Sequence, residues 1–120
     1  MKVAITSRGR AAESPVDQRF GRAAWLIVVD LEDGSREALD NQAAAASPHE
    51  AGLQTARMLS DRGVKAVITG HCGAKAFRTL ASAGIRVMLG ASGRVEDALA
   101  RFNEGKLREA ACGDVAEHWL

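Results

Sequence analysis

The chain opens on a short alternation, Lys2 to Thr6 (KVAIT), with Val3 and Ile5 as its apolar positions, and breaks into the polar run Ser7-Arg8-Gly9-Arg10. That pattern predicts a strand feeding a loop. Trp25 to Asp30 (WLIVVD) is a continuous apolar run, and Asp33-Gly34 separates it from Ser35 to Leu39. An Asp-Gly pair between two such runs predicts an antiparallel hairpin.

The spacing changes after Ser47-Pro48-His49-Glu50. Serine can cap a helix, proline fits its first position and Glu50 completes a capping box, so a helix is expected from there to Arg62. Leu53, Ala56 and Leu59 form its apolar stripe, and Gly63 stands where a left-handed cap belongs. Val64 to Thr69 (VKAVIT) reads as strand, and Gly73 to Ala83 as a helix carrying Ala76, Phe77, Leu80 and Ala83. After Gly84, Ile85 to Leu89 (IRVML) is strand again, and Ser92 or Gly93 opens a last helix with Val95, Ala98, Leu99 and Phe102, closed by Gly105. Trp25, Phe77, Met88 and Phe102 are expected in the core. Lys106 to Leu120 has weak periodicity, which divides the chain into a domain at 1–110 and a tail at 111–120.

The order β-β-β-α-β-α-β-α predicts an α/β protein with three α/β/α layers. Its mixed five-stranded sheet has the first, fourth and fifth strands parallel and the second antiparallel. At 120 residues and 47% hydrophobic composition the chain can close a core without staples. A net charge of +1 gives no global electrostatic case for nucleic acid or a membrane surface as partner. No apolar run reaches the roughly 18 residues a membrane helix needs. Cys72 and Cys112 have no C-x-x-C spacing, which fits reduced thiols and a cytoplasmic location.

Ligands in open α/β sheets settle beyond the carboxyl ends of parallel strands, where helix N-termini present unpaired N–H groups. Three segments converge there. Ser7 to Arg22 is locally basic, with Arg8, Arg10, Arg19 and Arg22 against Glu13 and Asp17. Thr69-Gly70-His71-Cys72-Gly73 joins a strand end to a helix, with two glycines that allow close backbone approach and a soft sulfur on Cys72. Gly90-Ala91-Ser92-Gly93-Arg94 is the third, and His49 joins them if its helix starts at the same edge. Together these groups suit an anion. No nucleotide motif of the form G-x-x-x-x-G-K-[ST] or G-x-G-x-x-G is present. A two-metal nuclease needs carboxylates at strand ends, and only Asp30 offers one.

Several stretches in order carry a resemblance: MKVAITS at the start, SPVDQRFGRA from Ser14 to Ala23, Ala51-Gly52-Leu53, TGHCGAKAF from Thr69 to Phe77, and AGIRV from Ala83 to Val87. The pair V-D-x-x-F-G (Val16 to Gly21) and T-G-x-x-G-x-x-A-F is the most diagnostic. The chain resembles the dinitrogenase iron-molybdenum cofactor biosynthesis family, most like its molybdenum-copper orange-protein branch, over nearly its whole length to about Ala110. The resemblance implies a ribonuclease H-like fold that is not an enzyme. It is a carrier holding an anionic molybdenum-copper sulfide cluster, or an iron-molybdenum-sulfur cluster, without covalent attachment. Donor or acceptor proteins for the cluster are implied, and the chain is expected as a monomer.

Nitrogenase-associated members show histidine before the Phe-Gly pair. Arg19 stands there in this chain, which favours an electrostatic hold. The residues expected around the cluster are Arg8, Arg19, Phe20, Gly21, Arg22, His49, Gly52, Thr69, Gly70, His71, Cys72, Gly73 and Arg94, with Cys72 as a metal ligand. Replacing Cys72 by serine should then weaken the cluster. A nucleotide- or phosphate-sensing module without catalysis is the alternative function, because the same loops would serve a phosphate. Cys112 and His118 in the tail match no recognised metal spacing.

Overall fold

The alternation at the N-terminus becomes the middle of a sheet. In the computed structural model, which describes residues 1–112, strand β1 (Lys2–Ser7) sends Val3 and Ile5 into one core cluster and Ala4 into another, all three fully buried. β2 (Trp25–Asp30) pairs with it antiparallel, Ile27 opposite Ile5 and Asp30 opposite Lys2. β3 (Arg36–Asp40) continues antiparallel on the far side of β2, and the Asp33-Gly34 hairpin closes between them with Gly34 at φ +74°. Asp33 Oδ1 accepts from the Ser35 N–H at 2.8 Å, and Ser35, through its hydroxyl first and this N–H second, holds the Asp33 carboxyl below its ordinary pKa.

On the other side of β1 lies β4 (Val64–Ile68), parallel, and then β5 (Arg86–Leu89), parallel again. A sixth strand, β6 (Arg108–Glu109), closes the order β3-β2-β1-β4-β5-β6. The expected five-stranded sheet is therefore corrected to six. β6 is two charged, exposed residues with no apolar alternation to announce it. Contacts supplied by β5 hold it: the Arg86 guanidinium meets Glu109 Oε1 at 2.7 and 3.0 Å, and the Ala110 N–H donates to the Val87 carbonyl at 2.8 Å.

Four helices follow: α1 (Gln42–Ala45), α2 (Ala51–Asp61), α3 (Ala74–Ser82) and α4 (Val95–Asn103). Ala56 and Leu59 of α2 and Ala76 and Leu80 of α3 pack with Ala4, Leu26 and Val67 on one sheet face. Val95, Ala98 and Leu99 of α4 pack with Val3, Ile5 and Ile68 on the other. That gives three layers of mixed α/β architecture.

Two helix starts differ from expectation. Ser47 Oγ does accept the Glu50 N–H at 3.2 Å, but this bond belongs to a turn, and the helix begins at Ala51. The last helix starts at Val95, after Gly93 at φ +77° and an Arg94 N–H that donates to Asp97 Oδ2 at 3.2 Å. Trp25, Phe77 and Phe102 are half-buried, whereas Phe20, expected beside the ligand, is wholly enclosed. No helix among the described residues is long and apolar enough to cross a membrane. His118 lies outside the described residues.

Candidate functional site

The parallel strands β1, β4 and β5 end at one edge, and the segment 8–22 is laid across all three ends. Arg8 N–H donates to the Pro15 carbonyl (3.0 Å), Val16 N–H to Gly93 (2.9 Å) and Asp17 N–H to Thr6 (2.9 Å). Further along, His71 N–H donates to the Gln18 carbonyl at 2.7 Å and Phe20 N–H to the His71 carbonyl at 3.1 Å. Gln18 reaches back with Nε2 to the Ala91 carbonyl, 3.0 Å away. Val16 packs in the cluster on the α4 face and Phe20 in the cluster on the α2/α3 face, so the segment crosses the sheet edge between them.

This crossing explains two glycines. A Cβ on Gly70 would lie 2.8 Å from the Gln18 carbonyl oxygen and 2.9 Å from its Cα. One on Gly21 would lie 2.6 Å from the Gly52 nitrogen, where the single 3-10 turn Phe20–Arg22 abuts the start of α2. Both are backbone-on-backbone contacts that no side chain can yield to. Beneath the crossing, Thr6 Oγ1 is 2.7 Å from the Asp17 carbonyl and 2.8 Å from Thr69 Oγ1, both threonines buried.

The expected site residues fall into two groups. Phe20, Gly21, Thr69, Gly70, Cys72 and Gly73 are buried and form the scaffold. Cys72 has no exposed surface, its sulfur 3.6 Å from the Gly73 carbonyl in the cluster that includes Phe20 and Ala76. Cys72 is the expected metal ligand; as folded its sulfur is buried among apolar side chains, so Cys72→Ser also perturbs the core. Gly52 is the point of closest approach between α2 and α3, its ideal Cβ position 2.9 Å from that of Ala76.

Arg8, Arg19, His49 and Arg94 are exposed, and His71 and Arg22 half-buried. Arg22 is engaged internally: Nη1 donates to the Ala45 and Ser47 carbonyls at 2.9 and 2.8 Å, fixing the turn that carries His49 beside the 3-10 turn. Arg94 lies 3.6 Å from Glu96 and bridges to Pro15, on the same side as Arg8.

The helix N-termini differ as well. The first amides of α4 are already occupied, Val95 N–H by the Ser14 carbonyl at 2.9 Å and Glu96 N–H by Ala12 at 3.0 Å. α3 starts from Gly73, which has no side chain to cap its first turn. The rim of this half carries Arg19, His71 and Lys75. Lys75 did not stand out in the sequence, although it sits inside the TGHCGAKAF stretch, one turn position beyond Gly73.

Among the described residues no group of three or more His, Cys, Asp or Glu side chains is placed to hold a metal ion. Asp30, the acid at the end of β2, pairs across from Lys2 at the opposite end of the sheet. Among the described residues the edge therefore carries cationic side chains rather than a carboxylate centre.

A family model described as dinitrogenase iron-molybdenum cofactor matches residues 1–105. The chain belongs to the dinitrogenase iron-molybdenum cofactor family. Its architecture is shared with the apo form of the orange protein from Desulfovibrio gigas, at 36% identity and a TM-score of 0.92, over 95% of this chain and 96% of that one. It is also similar to a candidate NifB protein from Thermotoga, at 35% identity and a TM-score of 0.85, over 95% and 97% of the two chains. An uncharacterised protein of Methanocaldococcus jannaschii is 29% identical over 93 residues, 75% of this chain and 78% of that one. Within this family frame the V-D-x-x-F-G segment is the crossing at Val16 to Gly21, and T-G-x-x-G-x-x-A-F is the β4–α3 corner it crosses.

Proposed function

We propose that this protein binds and carries an anionic, molybdenum-containing metal-sulfur cluster without covalent attachment, and that it does so as a carrier, without catalysis. The observation that carries the reading is the gathering of Arg19, His71 and Lys75 at the corner where α3 starts from Gly73, in a chain of this family. Amide donors at a helix start and nearby cations attract an anion through charge and hydrogen bonds together. A cluster that brings its own sulfides satisfies its metals internally and needs from the protein charge, donors and shape. Arg19 is the position best suited to bind it, His49 borders it from the turn before α2, and Arg8 and Arg94 act from the far side of the crossing.

Similarity to the orange protein supports a molybdenum-copper sulfide as cargo, and an iron-molybdenum precursor is the other cluster the family description suggests. The test is a visible absorption spectrum with metal and sulfide analysis on protein purified without oxygen, before and after adding tetrathiomolybdate and copper. Charge-transfer bands co-eluting with stoichiometric molybdenum and copper are expected. A colourless protein that takes up neither these nor an iron-sulfur cluster would overturn the reading in favour of a phosphate-sensing module. Arg19→Ala is expected to leave the fold intact and lower cluster affinity by about 1–3 kcal/mol, the scale of a charge-assisted hydrogen bond. Unchanged affinity at low salt would remove Arg19 from the site.

A further inference from the structure

β3 is the outermost strand of the sheet and pairs on one side only. Its ladder with β2 fixes which backbone groups face outward. Asp30 N–H donates to Ser35 and Asn41 N–H to Ala24, so the odd-numbered residues from 35 to 41 are the ones that exchange hydrogen bonds with β2. Arg36, Ala38 and Asp40 turn their N–H and C=O groups to the open edge. Their side chains share one sheet face, since residues two apart along a strand do.

We propose that this edge pairs with the same edge of a second copy, antiparallel, about a two-fold axis through Ala38. The register follows from three residues. With Ala38 opposite its own copy, Arg36 falls opposite the partner copy's Asp40 and Asp40 opposite its Arg36. All three are hydrogen-bonded pairs on one face, so both charge pairs are complementary and the smallest side chain sits at the dyad. A shift by two residues either way sets Arg36 or Asp40 opposite the partner copy's Ala38 and loses both charge pairs. Glu37, on the opposite face, is already held by Arg62 of its own chain at 2.6 Å and adds no unpaired charge to the contact. Asp40 uses Oδ1 to accept the Gln42 N–H at 2.9 Å, which leaves Oδ2 for the partner arginine.

The paired sheet runs continuously through both copies. β1 and β3 point the same way, and the partner's β3 points the other, so the two strand-end sites lie at opposite poles and neither is covered.

The test uses the full chain in analytical ultracentrifugation across a concentration series. A reversible dimer is expected for the native chain. Arg36→Asp alone and Asp40→Arg alone each place like charges in both pairs and should raise the dimer dissociation constant by several-fold to about tenfold. The combined Arg36→Asp and Asp40→Arg chain should recover the native value, which a folding defect would not do. In a second measurement, Ala38→Cys in a Cys112→Ser background should cross-link under mild oxidation, because hydrogen-bonded partners sit about 5.5 Å apart at Cα, inside disulfide range. A chain that stays monomeric throughout and does not cross-link overturns the proposal. So does a dimer indifferent to the charge exchange, which would lie on another surface, and so does pairing of this edge only with a different protein.

Discussion

The two ends of this sheet both depend on glycine, and for opposite reasons. At the end away from the site, Gly34, Gly63 and Gly84 have φ of +74°, +74° and +75° with no heavy atom within 4 Å of where a Cβ would stand. There, glycine supplies a backbone conformation, and the space around it is open. At the strand-end edge, Gly21 and Gly70 are buried against the backbone of Gly52 and Gln18, with a Cβ position as close as 2.6 Å. There, glycine supplies absence of volume, although Gly90 and Gly93 at the same edge, with φ of +81° and +77°, also turn the chain after β5. One end only turns the chain, and the other also lets two chain segments touch.

That contrast orders the expected effects of substitution. Gly70→Ala and Gly21→Ala should cost the most, about 1–3 kcal/mol or more in urea unfolding, because backbone must move to admit the methyl. Native midpoints for both would mean that the crossing is loosely seated. Thr69→Val comes next. It removes one of the two close partners of the buried Thr6 hydroxyl, the Asp17 carbonyl remaining, and a loss of about 1 kcal/mol in the same assay is expected. Thr69→Ser should restore most of it.

Gly34→Asn and Gly84→Asn should lose less, under about 1 kcal/mol, since asparagine tolerates the left-handed region and meets nothing in these open turns. A loss equal to that of Gly70→Ala would erase the distinction. Asp33 gives the smallest effect. Its folded pKa is lowered by the Ser35 contact, so its contribution is complete above its unfolded pKa and fades as pH falls through the folded one. Asp33→Ala should remove that small acid-side slope, and an NMR titration of the Asp33 carboxyl showing a raised midpoint would contradict the assignment.

Much of the distal end was legible in the sequence. Asp33-Gly34, Gly63 and Gly84 are local signals, and local conformation determines them, so the hairpin, the strand order and the parallel unit of β4, α3 and β5 follow from spacing. The site edge was legible only as a collection of loops. That the glycines of TGHCGAKAF serve the crossing, and that Phe20 and Cys72 face inward, depends on contacts between residues about 50 apart, such as Gln18 with His71. No window along the chain contains that information. The same holds for β6, whose two residues carry no pattern of their own and are recruited by Arg86 and Val87. Ser47 shows the reverse error, a correct local bond placed on the wrong element.

Because segment 8–22 is hydrogen-bonded in turn to residues 93–95, 6 and 71, it cannot detach from one strand end while remaining seated on the others without stretching its own backbone. The amides of Val16, Asp17, Phe20 and His71 should therefore exchange with solvent deuterium as one cooperative unit with a common opening free energy. On the proposed carrier function, loading and release of cargo would then proceed through a rim that opens as a whole or not at all.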